Sequence, residues 1–202
     1  MQSANYSKIS SFINKKIVED INSSGGKAMG FAGNQNNLIT AKKLEMAVKD
    51  SDSNIEKILD LGFVGEPISI NSSFINDHIV KGIIPVIAPL GIDEKGNTYN
   101  INADTAAGAI AGALRASKLL LLTDIAGILD ENKKLISSLS YEEAIKIISK
   151  NFIRGGMKPK ITTCIKAISQ GVKQATILDG RISHALILEL FTEHGIGTQI
   201  YS

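Results

Sequence analysis

The sequence is poor in several residue types, and each shortage excludes a class of protein. Its 202 residues include a single cysteine, Cys164, so an intramolecular disulfide framework is excluded. The formal charge is +2 and Lys and Arg form no block, which argues against nucleic acid or an anionic membrane as a partner. The apolar runs, such as residues 83–88, are far too short to span a bilayer.

Targeting and cofactor motifs are also scarce. Residues 1–5 show neither the pattern of a signal peptide nor Arg-rich transit-peptide character, so we expect a cytoplasmic protein, or a stromal one if a plastid encodes it. His78, His184 and His194 share no metal-ligand spacing, so no metal site of protein ligands is expected. Walker and GxGxxG motifs are absent.

The sequence instead alternates between predicted strands and helices. Strands are predicted at residues 27–32, 38–44, 58–65, 83–89, 118–123, 175–179 and 197–201. Helices are predicted at residues 10–22, 72–81, 103–116, 140–150, 157–170 and 183–191. The continuous apolar runs at 83–89 and 118–123 are typical of strands buried on both faces. Residues 47–54 are polar and predict a turn.

This alternation predicts an α/β fold, a three-layer αβα sandwich with a mainly parallel central sheet, in a single domain of residues 1–202. Polar hairpins at Gly33–Leu44 and Asp93–Tyr99 are expected to add antiparallel edges. A capping box of Ser140 and Glu143 predicts a helix start. The apolar face of the helix at 157–170 is predicted from Ile161, Cys164, Ile165 and Ile168.

Polar side chains concentrate where predicted strands end and helices begin. Asn100, Asn102 and Asp104 alternate with small or apolar residues just before a helix of small residues, and Asp124 closes the next strand. Lys160 lies in the first turn of a later helix, after Gly155 and Gly156. Since ligands of α/β sheets bind at the carboxyl ends of strands, we expect these groups at one rim. Open N–H groups, a lysine, carboxylates and carboxamides suit phosphate and a bound cation.

Each residue also has an ordinary structural explanation. Asp104 is the kind of acid that a helix dipole favours in a first turn, which taken alone explains it as well as catalysis does. Asp124 taken alone is better explained as an ordinary turn residue. Lys160 alone is most often a solvated lysine, and Cys164 on an apolar face is most often inert core. The two carboxamides are harder to dismiss, because buried carboxamides need partners.

Several of these segments occur together, in order and spacing, in a known family. Asn100–Asp104, Leu122–Leu129 and Gly155–Lys160 resemble segments of N-acetylglutamate kinase, a member of the amino-acid kinase superfamily that acts in arginine biosynthesis. Further matching segments are Asp60–Gly65, Ile84–Pro89, Asp179–Arg181 and His184–Thr198. The resemblance extends from about Ile13 to Ile200, so it covers nearly the whole chain.

The resemblance implies an activity and a set of site residues. The γ-phosphoryl group of ATP, bound with Mg²⁺, is transferred to the side-chain carboxylate of N-acetyl-L-glutamate. Lys160 is then the lysine that stabilises the transferring phosphoryl group, and Asp104 organises the catalytic lysines. Asn100, with Asn102 beside it, binds acetylglutamate. The nucleotide-binding residues are Asp124, Ile125, Ala126, Gly127, Ile128, Leu129, Phe152, Ile153 and Arg154. Family members form homo-oligomers and carry an arginine inhibitor site, whose residues here include His184, Glu193 and Gly195.

The sequence also departs from the family. The family's first strand with its Lys-Tyr-Gly-Gly-like turn, its His-Gly-Gly-Gly loop and its substrate-binding Arg do not appear. We therefore expect a fragment with little turnover by itself, an open sheet edge and doubtful arginine feedback. Asn34 and Gln35 replace a Lys-Asp pair, which we interpret as a surface change.

Two other functions remain open at this stage. Another amino-acid kinase, such as a carbamate or uridylate kinase, is disfavoured by the segments Asn100–Asp104 and Asp179–Arg181. The second open function is that of a non-catalytic nucleotide-binding fragment or remnant of N-acetylglutamate kinase.

Overall fold

The computed structural model describes residues 2–49, 56–150, 152–153, 155–193 and 195–202. The chain divides into two compact units, Met1–Ala106 and Ala107–Ser202, each of which builds its own sheets. The single domain expected from the sequence stays a prediction. No helix among the described residues has the length and hydropathy needed to cross a membrane.

The first unit is assembled from long strands and a few helices. Its described elements are α1 (Gln2–Ser23), β1 (Ala28–Ala32), β2 (Ile39–Lys49), β3 (Glu56–Ile70), α2 (Ser72–Ile79), β4 (Ile84–Ala88), β5 (Leu90–Ile92), β6 (Thr98–Ile101) and the start of α3 (Ala103–Leu114).

Helix α1 packs against a sheet of two parallel strands. β1 pairs with β4 from Ala28 opposite Ile84 to Ala32 opposite Ala88. Asn14 of α1 donates from Nδ2 to the carbonyl oxygen of Val86 at 2.8 Å, which fixes the helix against this sheet. The prediction that residues 83–89 are buried on both faces is wrong, because Ile84 is 48% exposed. Among the described strands, β4 has β1 as its one neighbour in this sheet, so few side chains of adjacent strands surround Ile84.

The remaining strands of the first unit, β2, β3, β6 and β5, close into a small barrel. The predicted hairpin at Gly33–Leu44 is wrong: β2 pairs antiparallel with β3, from Ile39 opposite Ile70 to Lys49 opposite Glu56. The long ladder satisfies the backbone groups of residues 47–49, which therefore lie in a strand and not in the predicted turn. Residues 50–55 of that predicted turn lie outside the described residues.

The predicted hairpin at Asp93–Tyr99 is confirmed. β5 and β6 pair antiparallel, with Leu90 opposite Asn100 and Ile92 opposite Thr98. Asp93 organises the turn, since Oδ1 accepts the backbone N–H groups of Lys95 and Asn97, and Oδ2 accepts the Tyr99 hydroxyl at 2.8 Å. These hydrogen bonds, above all that from the Asn97 side chain, lower the pKa of Asp93 to about 2.

The second unit continues α3 and adds a four-stranded sheet with helices. Its further described elements are β7 (Lys118–Thr123), β8 (Ser138–Ser140), α4 (Tyr141–Ile147), α5 (Met157–Ser169), β9 (Gln174–Asp179), α6 (Ala185–Phe191) and β10 (Thr198–Tyr201). The strand order is β7-β9-β10-β8, with parallel β7–β9 and β8–β10 pairs and an antiparallel β9–β10 pair. The α/β class with mainly parallel pairing is confirmed.

The sheet of the second unit is covered unevenly. β9 is buried along most of its length, whereas β7 alternates, with Leu119 and Leu121 buried and Leu122 48% exposed. The prediction that residues 118–123 are buried on both faces is therefore wrong. β7 is the outermost described strand of this sheet, so fewer side chains cover its second face.

Helix α5 supplies the largest share of the core in this unit. Its residues Ile161, Cys164 and Ile168 are buried, which confirms the predicted apolar face, and Ile165 packs at the margin. Pro159 lies in the first turn, where the missing N–H leaves no helical hydrogen bond unmade. Cys164 is fully buried, so it packs as a small apolar side chain.

The predicted capping box at Ser140 is confirmed. Ser140 Oγ accepts the backbone N–H of Glu143 at 3.2 Å, and Glu143 Oε2 accepts the backbone N–H of Ser140 at 2.7 Å. Ser140 also ends β8, a three-residue strand that the sequence did not predict. The box therefore fixes the point at which the sheet edge becomes helix α4.

Replacing Ser140 by alanine removes the cap. We expect Ser140→Ala to lower the free energy of unfolding by about 1 kcal/mol, because the N–H of Glu143 loses its acceptor. Urea denaturation measures this, with Ser138→Ala, exposed on the same strand, as the matched control. Equal losses in the two variants would show that the cap contributes nothing specific.

Candidate functional site

The second unit brings several predicted site residues to one end of its sheet. β7 and β9 run parallel in register from Lys118 opposite Gln174 to Thr123 opposite Asp179, so both strands end together. The N–H of Gly180 donates to the carbonyl oxygen of Thr123 at 2.8 Å and joins the two strand ends. Asp124 follows directly and accepts the Thr123 hydroxyl at 3.2 Å. We call this end of the sheet the rim.

Helix α5 begins at the same end of the sheet as the rim. A helix that leads into a parallel strand runs antiparallel to it, so the start of α5 lies at the carboxyl end of the sheet. Gly156 is the N-cap and provides no side-chain cap, which leaves backbone N–H groups of the first turn for a ligand. Lys160 is half-buried in that turn. Of the neighbouring segment, Ile153 is buried and Phe152 half-buried, while Arg154 lies outside the described residues.

Asp179 and Arg181 form a charged pair at the rim. From the sequence, the two residues were known only as the ends of a matching segment. Arg181 donates from Nε and Nη2 to the two carboxylate oxygens of Asp179, at 2.9 and 2.8 Å, and its backbone N–H adds a third bond. These bonds lower the pKa of Asp179 to about 2, and the same carboxylate, followed by that of Asp124, raises the pKa of Arg181. The sequence signal that could have predicted this ion pair is an Asp-Gly-Arg turn directly after a buried strand.

The predicted nucleotide-binding turn, Asp124–Leu129, has an exposed part and an anchored part. Asp124, Ile125, Ala126 and Leu129 are exposed. Ile128 is fully buried in the core of the unit, and its carbonyl oxygen accepts the N–H of Ile136 at 2.9 Å. The exposed residues therefore belong to a segment that is anchored in the core through Ile128.

Gly127 and Thr198 meet beneath this turn. The N–H of Ile128 donates to Thr198 Oγ1 at 2.8 Å in a buried position. Gly127 has a φ of +147°, and a Cβ there would lie 2.6 Å from Thr198 Oγ1. Only glycine fits this backbone conformation and this close approach. From the sequence, Thr198 is known only as the last residue of the segment His184–Thr198, and it lies 70 residues away from its partner.

The polar segment of the first unit has partly structural functions. Asn102 Oδ1 accepts the backbone N–H of Thr105 at 3.1 Å, so this side chain serves the start of α3. Asn100 is half-buried in β6, between Val64 of β3 and Leu90 of β5. Asp104 is half-buried in the first helical turn, where an acid complements the dipole. That these three residues share a rim with Asp124 and Lys160 stays a prediction.

A cavity of about 400 Å³ lies in the first unit, at the carboxyl ends of β1 and β4. It is lined by Asn14, Gly30, Phe31, Ala32, Asn34, Gln35, Ala88 and Leu90. Asn34 is half-buried and donates to Thr98 Oγ1 at 3.1 Å, so the interpretation of Asn34 as a surface change is wrong. The hydrogen bond to Thr98 explains why this loop, which the sequence predicts as a polar turn, folds inward.

The residues predicted for an inhibitor site lie around α6. His184 precedes the helix with a φ of 59° and is exposed, as is Glu193. Gly195 approaches the carboxylate of Glu189, which is buried and accepts the backbone N–H of Ile196 at 2.9 Å. Among the described residues, no group of three or more His, Cys, Asp or Glu side chains is arranged to hold a metal ion.

Comparison with known proteins identifies the class to which this fold and rim belong. The sequence profile of the amino acid kinase family matches residues 10–179. The chain therefore belongs to the amino acid kinase family. A solved structure titled N-acetylglutamate synthase from Neisseria gonorrhoeae, complexed with coenzyme A and N-acetyl-glutamate, is 24% identical and has a TM-score of 0.82. It covers 98% of this chain and 43% of its own, and supports the fold alone.

More similar relatives carry a more specific name. The acetylglutamate kinase of Afipia carboxidovorans is 54% identical over 94% of this chain and 64% of its own length. That of Rhodospirillum centenum is 55% identical over 95% of this chain and 63% of its own length. The chain thus spans less than two thirds of the length of these curated relatives.

Gly127→Ala tests the anchoring of the turn. We expect the free energy of unfolding to fall by at least about 1 kcal/mol, since the new methyl group meets Thr198 and the backbone is strained. Gly156→Ala is the control, because a Cβ at that position would meet no atom within 4 Å. Chemical denaturation of the three proteins measures the difference, and a Gly127→Ala protein as stable as the control would contradict the geometry.

The pair Asp179–Arg181 predicts a dependence of stability on pH. The pKa of Asp179 is about 2 in the folded protein and about 3.9 in an unfolded chain. The ionised carboxylate therefore stabilises the fold above about pH 4, and that stabilisation is lost as the pH falls towards 2. Urea denaturation at each pH should show a steeper loss for the wild type than for Asp179→Asn. Asp93 is unchanged in both proteins, so parallel curves would contradict the assignment.

Proposed function

We propose that this sequence belongs to an acetylglutamate kinase, which transfers the γ-phosphoryl group of ATP to the side-chain carboxylate of N-acetyl-L-glutamate in arginine biosynthesis. The observation that carries the proposal is the identity of 54% and 55% to two acetylglutamate kinases over 94% and 95% of the chain. A protein of this function is expected to act in the cytoplasm as a homo-oligomer.

Lys160 is proposed to stabilise the transferring phosphoryl group. Phosphoryl transfer needs positioning and positive charge against the equatorial oxygens more than it needs covalent help. The first turn of α5 offers a half-buried ammonium group together with open backbone N–H groups after Gly155 and Gly156. Both the dipole of the helix and the lysine favour an anion at this position.

The exposed residues of the turn Asp124–Leu129 are proposed to contact the nucleotide, with Phe152, Ile153 and Arg154 as a second segment. ATP is expected to arrive with Mg²⁺, which would neutralise charge on the phosphate oxygens. A Mg²⁺ ion that came with ATP and kept several waters would need few protein ligands, and the exposed carboxylate of Asp124 would be the residue at the rim to hold it.

The acceptor requires no general base. A side-chain carboxylate of this type has an ordinary pKa of about 4.3, so it is already ionised near neutral pH. Asp104 is therefore proposed as an orienting group and not as a base. Asn100 and Asn102 are proposed to bind acetylglutamate, Asn102 in addition to its hydrogen bond with Thr105.

Two measurements on the purified chain test the proposal. ATP binding is followed by calorimetry, and acyl phosphate formation is followed by trapping with hydroxylamine in the presence of N-acetyl-L-glutamate, L-glutamate or carbamate. We expect ATP to bind, and any phosphoryl transfer to require N-acetyl-L-glutamate. Transfer to carbamate without acetylglutamate would favour a different amino-acid kinase. ATP binding without any transfer would show that the chain by itself binds the nucleotide and is not catalytic.

Lys160→Met tests the phosphate-binding function of α5. We expect the preference of the chain for ATP over ADP to fall, because the γ-phosphoryl group loses its cation, and any acetylglutamate-dependent transfer to fall about 100-fold. Lys160→Arg should retain part of the ATP preference. Lys158→Met removes an exposed lysine of the same helix and serves as the control. An unchanged ratio of ATP to ADP affinity in Lys160→Met would remove this lysine from the proposed site.

A further inference from the structure

Thr198 makes a contact that links the C-terminal strand to the nucleotide-binding turn. Its side chain is fully buried at the first position of β10, and Oγ1 accepts the N–H of Ile128 at 2.8 Å. Gly127, which has no Cβ, packs directly against the same hydroxyl group. A buried N–H without an acceptor is costly, so this hydroxyl selects the backbone path of the turn.

The two residues before Thr198 are held by the carboxylate of Glu189. Glu189 of α6 is 7% exposed, and its Oε2 accepts the N–H groups of Ile196 and Gly197 at 2.9 and 3.3 Å. Gly197 packs against β9, where a Cβ would lie 2.9 Å from that of Leu178. The residue before Thr198 is therefore fixed on two sides, which leaves the hydroxyl little freedom to move.

The contacts form a continuous network. It runs from Glu189 through the backbone of Ile196 and Gly197 to Thr198, and from the Thr198 hydroxyl to Ile128. Beyond Ile128 lie the exposed residues of the turn, of which Asp124 adjoins the carboxyl end of β7. Ile128, Glu189 and Thr198 are buried, so the network acts on a ligand through the shape of the turn.

We propose that Thr198 and Glu189 are positioning residues for nucleotide binding: through this hydrogen-bond network they hold residues 124–129 in the conformation that receives the nucleotide. The inference rests on the proposed nucleotide site and names residues that act on it without touching the ligand. Loss of the network lets the turn sample other conformations, so part of the binding free energy is spent on ordering it.

The test compares Thr198→Val, which keeps the shape but removes the acceptor, with Thr198→Ser, which keeps the acceptor. Thr163→Val is the matched control, a buried threonine on α5. ATP affinity is measured by calorimetry at a temperature at which circular dichroism shows every variant fully folded. We expect Thr198→Val to bind ATP about tenfold more weakly than the wild type. Thr198→Ser and Thr163→Val are expected to bind within about twofold of the wild type.

Amide hydrogen exchange gives a second readout, which needs no ligand. Exchange at Ile128 should accelerate in Thr198→Val, and in Glu189→Leu through the freed loop, but not in Thr163→Val. Unchanged ATP affinity in a folded Thr198→Val protein would overturn the positioning function while leaving the nucleotide site intact. Absence of ATP binding by the wild-type chain would instead overturn the nucleotide site and the inference with it.

Discussion

The parallel register of β7 with β9 is the constraint on which the rest of the second unit depends. Six residue pairs, from Lys118 opposite Gln174 to Thr123 opposite Asp179, make the two strands end at the same level. A helix that connects parallel strands must return along the sheet, so the start of α5 lies at that level too. Asp124, Lys160 and the pair Asp179–Arg181 are consequently presented at one rim, although 57 positions separate Asp124 from Arg181 in the sequence.

Hydrogen bonds then restrict the residues that the rim exposes. Thr198 accepts the N–H of Ile128, Gly180 donates to the carbonyl oxygen of Thr123, and Arg181 neutralises Asp179 in a chelated geometry. The buried N–H of Ile128 would be costly to leave unpaired, and each of the three bonds restricts a residue at or next to the rim. A site that handles phosphate charge benefits from such preorganisation, because charged ligands reward groups that are already in place.

The sequence predicted the order of elements well and their environment less well. Periodicity located α5 and its apolar face, and the capping box at Ser140 was visible because it depends on residues three apart. The leucines of β7 predicted burial on both faces, yet Leu122 is half-exposed, since composition does not reveal which strands lie at a sheet edge. The hairpin at Gly33–Leu44 was wrong because β2 pairs with the next strand, β3, whereas β1 pairs with β4. The contact of Thr198 with Ile128 had no local signal at all.

The central claim is that the nucleotide binds at the rim of the second unit, and backbone amide chemical-shift mapping with ATP tests it most directly. Titration of the isotope-labelled chain with ATP is predicted to shift the amides of residues 123–129, 155–158, 160 and 179–181. Shifts confined instead to the lining of the cavity in the first unit, around Gly30, Asn34 and Leu90, would contradict the account.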